Sequence, residues 1–177
     1  MLAAMITTLV RWFAPWQSLY ADSKILETTV TSIHIAATMV GGGIAIAADR
    51  DTLRAMRTGS WMEPQALDEL HATHRPVVIG LVILFVSGVA LLASDIKTYA
   101  QSPVLLIKLG FVALLCLNGI FLAHTEHLLR RRVFGEVDRP ASPDATPVLW
   151  RRLRAASWLS ITLWTCTVVA GTALLNV

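Results

Sequence analysis

The sequence predicts an all-α integral membrane protein, a four-helix bundle preceded by an amphipathic helix lying in the membrane interface. Three observations carry this. Of the 177 residues, 55% are hydrophobic and only 15% charged, where a soluble domain carries about a quarter. The mean hydropathy is +0.60, and the charges are gathered between apolar runs rather than interspersed along them. Four of those runs are near the roughly 20 residues that a bilayer core of about 30 Å requires. Hydrocarbon offers no hydrogen-bond partner, so each run must satisfy its own backbone and is expected to be helical. Four runs suffice for one bundle, and no internal repeat is visible.

Residues 1–23 form the expected interfacial element, and residues 24–177 the transmembrane domain. No Lys or Arg precedes Arg11 and the apolar run is short, which is not the pattern of an export signal. Leu9, Trp12, Phe13, Trp16, Leu19 and Tyr20 recur at helical spacing around Pro15. Tryptophan and tyrosine on such a stretch suit the headgroup level of a bilayer. The spans are expected at about 26–48, 76–93, 103–123 and 155–177.

The connections predict orientation. Between the first and second spans lie Arg50, Arg54, Arg57 and Arg75. Between the third and fourth lie Arg130, Arg131, Arg132, Arg139, Arg151, Arg152 and Arg154, whereas the second connection holds only Lys97. Basic loops stay on the cytoplasmic side, so both termini are expected to face outward. The net charge of +3 is expected to report this topology, and a nucleic-acid partner is not implied. Pro64 should open a helix, Pro76 should bend or break it, and 135–147, with Pro140, Pro143 and Pro147, should be an irregular surface loop. Cys116 and Cys166 fall inside apolar runs and are expected to be small buried hydrophobes. With no CxxC or CxxCH pattern, a zinc ribbon and covalent haem attachment are not expected.

Ionisable groups inside a spanning helix are costly and usually functional. Two are expected at depth, His34 in the first span and Lys108 in the third. His34 lies about eight residues, and Lys108 about five, from the outer end. At about 1.5 Å per residue their depths differ by only about 4–5 Å. Ala37, Thr38, Gly41, Ala45 and Ala48 share a face with His34, so a potential metal ligand stands above a surface almost without bulk. A flat cofactor such as a porphyrin needs that shape, and so does a closely packed helix. An interhelical hydrogen bond accounts for His34 as well as ligation does, and snorkelling to the surface accounts for Lys108. Asn118 is the remaining polar group at depth. A second set lies at the opposite end, where His71 and His74 precede the second span and His124 and His127 follow the third. These could hold a metal, or His74 and His124 a haem, or they could be plain interfacial polar residues. His124 falls about 160° around the helix from Lys108, with Glu126 nearly beneath Lys108. The two ends would therefore not serve one interior.

Residues 26–130 resemble small four-helix bacterial membrane proteins, the HemJ-type protoporphyrinogen oxidases and the CopD-type copper-resistance membrane domains. The similarity is carried by His34 in a span ending Ala48-Asp49-Arg50-Asp51-Thr52-Leu53, by Ser87-Gly88-Val89-Ala90-Leu91-Leu92, and by Tyr99-Ala100-Gln101-Ser102-Pro103-Val104-Leu105-Leu106-Ile107-Lys108 with Asn118 and His124 beyond. The resemblance implies haem b held by His34 and Lys108; Thr38, Gly41 and Asn118 are expected to line the cofactor, and the matched depths place it in the outer half of the bundle between the first and third spans. It also implies a place in the bacterial cytoplasmic (inner) membrane. The expectation is then electron transfer to or from a quinone or a redox partner subunit. The alternatives are a HemJ-like porphyrinogen oxidase or a cofactor-free accessory subunit of a larger membrane complex, and a homo-oligomer fits any of these. Copper transport is a weaker expectation, because Met-rich and Cys-rich copper motifs are missing.

Overall fold

The computed structural model describes residues 2–58, 64–134 and 145–174. Every described element is helical: α1 (Leu2–Asp22), α2 (Lys24–Thr58), α3 (Pro64–Ser94), α4 (Ile96–Ala100), α5 (Pro103–Phe134) and α6 (Ala145–Ala173). Four of them, α2, α3, α5 and α6, carry stretches long and apolar enough to cross a bilayer. Each turns large apolar side chains outward. Met39, Phe85, Ile120 and Val169, one from each helix, are 71, 70, 68 and 61% exposed. Such a belt is unfavourable in water and matched to lipid. The chain is an all-α multi-pass membrane bundle.

The helices outrun the apolar windows. α2 continues past Ala48 to Thr58, α5 continues past Ala123 to Phe134, and α6 starts at Ala145 rather than near 155. Charged residues end an apolar run without ending a helix, because Arg, Glu and Lys are good helix formers. Pro64 and Pro103 open α3 and α5, where a missing N–H costs nothing. Pro76 lies inside α3 without ending it. The turn between α3 and α5 holds α4, capped by the Asp95 carboxylate accepting from the Thr98 N–H at 3.1 Å. The bulk of the expected irregular loop, residues 135–144, lies outside the described residues.

The bundle is built around α6, the most enclosed of the four spanning helices. It packs between α5 and α2, and α2 packs in turn on α3. The seam residues of α6 are Leu149, Trp150, Leu153, Ala156, Ser157, Ser160, Leu163, Trp164, Thr167 and Ala170, all buried. That spacing alternates three and four, the stripe of a helix packed along its length. At the Arg-rich end, Leu129 of α5 meets Leu149, Trp150 and Leu153. Midway, Ala45, Leu115, Leu163 and Trp164 form a second cluster, joined by Val77, Leu81 and Leu84 of α3 and by Phe111 of α5.

Close approach between α2 and α3 is made by glycine on both sides. A Cβ placed on Gly80 would lie 2.9 Å from the Gly41 Cα, and one on Gly41 would lie 3.3 Å from the Gly80 Cα. The next residue, Gly42, faces α6, and a Cβ there would come within 3.0 Å of the Trp164 ring. Small residues at such crossings let backbones touch, which is how membrane helices gain packing energy.

α1 is pinned to the α4 end of α3. The Trp16 indole donates to the Ala90 carbonyl at 3.0 Å and the Gln17 amide to the Ala93 carbonyl at 3.2 Å. Trp12, 81% exposed, points away from this contact. The expected burial of both cysteines does not hold. Cys116 is exposed on the outer face of α5, and Cys166 is half-buried. An apolar run alone does not say which of its faces the neighbours cover.

Candidate functional site

His34 sits on the α3 side of α2, half-buried. Its Nδ1 lies 2.9 Å from the Ser87 Oγ, and that hydroxyl lies 2.7 Å from the carbonyl of Ile83, one turn back on its own helix. A serine has one proton. If it is donated to Ile83, the oxygen accepts from His34, and the ring is the Nδ1–H tautomer. Nε2, the remaining lone pair, has no hydrogen-bond partner among the described residues. The ring lies over Gly88, where an added Cβ would stand 3.3 Å from Cε1. Gly88 is therefore the space that the imidazole occupies.

Lys108 occupies a matching niche on the other flank. Its Nζ and Cε lie 3.4 and 3.7 Å from where a Cβ on Gly171 of α6 would be. The side chain is half-buried, so simple snorkelling along a free surface does not describe it. The Lys24–Glu27 ion pair is exposed, and among the described residues no carboxylate acts on Lys108. It lies close enough to act electrostatically on the His34 ring. Ser87 stands one turn nearer the α4 end than Leu84, and Lys108 one turn nearer that end than Phe111. Leu84 and Phe111 belong to one apolar cluster with Trp164. A bonded histidine and hydroxyl, with a lysine within electrostatic reach of the ring, thus stand at one level above a shared hydrophobic floor.

The expected partition between the first and third spans needs correction. α2 and α5 do not pack closely on one another, because α6 lies between them. Other expected lining residues are engaged in helix contacts. Gly41 meets the Gly80 backbone. Asn118 is buried and donates across to the Ala156 carbonyl of α6 at 3.0 Å. The Thr38 hydroxyl donates to the His34 carbonyl at 2.8 Å, which ties it to its own helix and stiffens the turn that carries His34. At the other end, His124 and His127 are exposed and Glu126 is buried, the facing that helical geometry predicts. The side chains of His71 and His74 lie outside the described residues, as does any site they would make with His124. Among the described residues no group of three His, Cys, Asp or Glu is placed to hold a metal.

Sequence reasoning counted two deep ionisable groups, and the described residues add two more. Asp49 of α2 and Glu126 of α5 are 4% and 2% exposed. Both lie just past the apolar windows, where a charge is ordinarily taken for the start of a loop.

Comparison with known proteins adds no family assignment: no family model, curated protein or solved structure matches the chain.

Proposed function

We propose that the chain binds haem b in the α4-end half of the bundle, where His34 would hold it through Nε2 with Lys108 as second ligand or near neighbour, and that it carries electrons in the bacterial cytoplasmic membrane. A quinone or a redox subunit would be its partner, and both termini would face outward. The observation that carries the reading is the His34–Ser87 bond. Haem-ligating and metal-ligating histidines use one nitrogen for the metal and donate the other N–H to an acceptor that fixes tautomer and ring orientation. With the Ser87 proton given to the Ile83 carbonyl, Nδ1 would be committed in that manner and the Nε2 lone pair would be left for the metal.

Bound there, the group supplies one-electron chemistry. The chain's own residues would do the rest. Ser87 holds the ring, Gly88 gives it room, and the Leu84–Phe111–Trp164 floor keeps water from the apolar faces. Lys108 as a ligand would act through its neutral amine, since a protonated one has no lone pair. As a neighbour, its cation would favour the reduced, less positive state. Within this reading, a porphyrinogen oxidase would need a tetrapyrrole-binding place in addition, and failure to rescue a strain lacking its own oxidase would count against it.

A second reading rests on the same bond. His34, Ser87 and Gly88 close the α2–α3 contact through the Nδ1 side of the imidazole, as in a structural interhelical bond. The chain would then be a cofactor-free subunit docked to a larger complex. The visible absorption spectrum of protein purified from haem-replete cells separates the two. A Soret band that disappears in His34→Ala supports ligation. A colourless protein that co-purifies with a stoichiometric partner supports the subunit reading.

A further inference from the structure

Asp49 is the charged side chain that neither the fold nor the proposed redox role explains. It is 4% exposed, and it faces the Ser157 and Ser160 hydroxyls across the α2–α6 contact. Those serines stand three apart, so they share one face of α6. Ser157 is fully buried, and its Oγ closes no hydrogen bond in acceptable geometry. A buried hydroxyl left this way beside a buried carboxylate marks lone pairs with no recipient.

Among the described residues no basic group compensates the carboxylate. Arg50 and Arg54 on its own helix, Arg75 on α3, and Arg151, Arg152 and Arg154 on α6 are all exposed, and none of them interacts with it. The buried charge described on α5, Glu126, is of the same sign. A bare carboxylate taken out of water costs several kcal/mol even after relaxation. The surroundings are also fixed. The Asn118 amide clamps α5 to the carbonyl of Ala156, the residue next to Ser157. Thr52, one turn on, spends its hydroxyl on Ala48.

We propose that Asp49, Ser157 and Ser160 form a binding site for one small monovalent cation, an alkali ion or a proton, at the α2–α6 contact. A single positive charge brings the site to neutrality, and the oxygens are hard donors. A divalent ion would leave an uncompensated charge and would ask for more carboxylates. The site lies fifteen residues along α2 from His34, about 22 Å, so it stands or falls apart from any haem.

The test is thermal unfolding of the full chain in lipid nanodiscs. Three conditions are compared: sodium against choline chloride at equal ionic strength and fixed pH, lithium and potassium likewise, and a pH series in choline alone. If the ligand is an alkali ion, sodium or another alkali ion raises the unfolding temperature by about 2–4 °C, the shift about 1 kcal/mol gives at this size, and radioactive sodium binds saturably at one per chain. If it is a proton, acidification alone raises the temperature and no sodium binds. In either case Asp49→Asn, isosteric and already neutral, removes the response, and Ser157→Ala weakens it. Should neither ion nor pH change the temperature, or should Asp49→Asn respond as the wild type does, the proposal is overturned.

Discussion

His34 Nδ1 and Ser87 Oγ lie 2.9 Å apart and join α2 to α3. Seven residues along each helix, in opposite directions, Gly41 and Gly80 meet backbone to backbone. The hydrogen bond and the glycine crossing fix the same pair of helices at two levels, and the bond engages Nδ1 of the ring.

Ser87→Ala removes the acceptor of the imidazole N–H. We expect a loss of about 0.6–2 kcal/mol in stability, the range of interhelical hydrogen bonds in membranes. Unfolding in mixed detergent measures it. His34→Ala combined with Ser87→Ala should cost less than the two single losses added, because the pair acts as a unit. Strict additivity would contradict the bond.

The glycine crossing makes a graded prediction. Gly80→Ala places a Cβ 2.9 Å from backbone, Gly41→Ala one at 3.3 Å, and Gly43→Ala meets nothing within 4 Å. Neither partner of the crossing is a flexible side chain, so α2 and α3 must separate. We expect losses of about 1–3 kcal/mol for Gly80→Ala, less for Gly41→Ala, and none for Gly43→Ala, where alanine improves helix propensity. Thermal unfolding of the three variants gives the order directly.

The crossing also shows what the sequence disclosed. The four spanning helices were legible because lipid demands long apolar runs. The Gly41 face was legible as a surface without bulk, but only the position of α3 shows that Gly80 fills it. The α6 stripe from Leu149 to Ala170 was open to counting, yet Arg151, Arg152 and Arg154 moved the expected start to residue 155. Cys116 could not be placed, because α5 is apolar on nearly every side and its covered face depends on α6. Asp49 and Glu126 were missed because a charge at the end of an apolar run does not reveal that the helix continues.

At the α4 end, Tyr99 should titrate above the ordinary tyrosine value. Burial raises it first, the Asp95 carboxylate adds to this, and Tyr20 contributes last. The neutral phenol is the form that fits the fold. The stability it contributes is intact below about pH 10 and is lost as pH rises through the higher folded-state value. The chain has two tyrosines, so Tyr20→Phe isolates Tyr99 in an ultraviolet titration. A midpoint at or below 10 in the folded protein would contradict the burial of its hydroxyl.

Lys108 tests the electrostatics of the proposed redox site. With the haem bound, Lys108→Met keeps the length of the side chain and removes the cation near His34. The midpoint potential should fall, because the positive charge favours the reduced state. A spectrum that also changes its axial-ligand signature assigns Lys108 as ligand, and an unchanged signature with a lowered potential assigns it as neighbour. A potential that does not move would show that Lys108 does not act on the site.

The most direct measurement is the absorption spectrum, with haem quantification, of the protein and its His34→Ala variant purified from haem-replete cells. The haem reading predicts a Soret band in the wild type that is lost in the variant while the helical content is retained. A wild type with no Soret band, or a variant whose spectrum is unchanged, would contradict the assignment of His34 as the haem ligand.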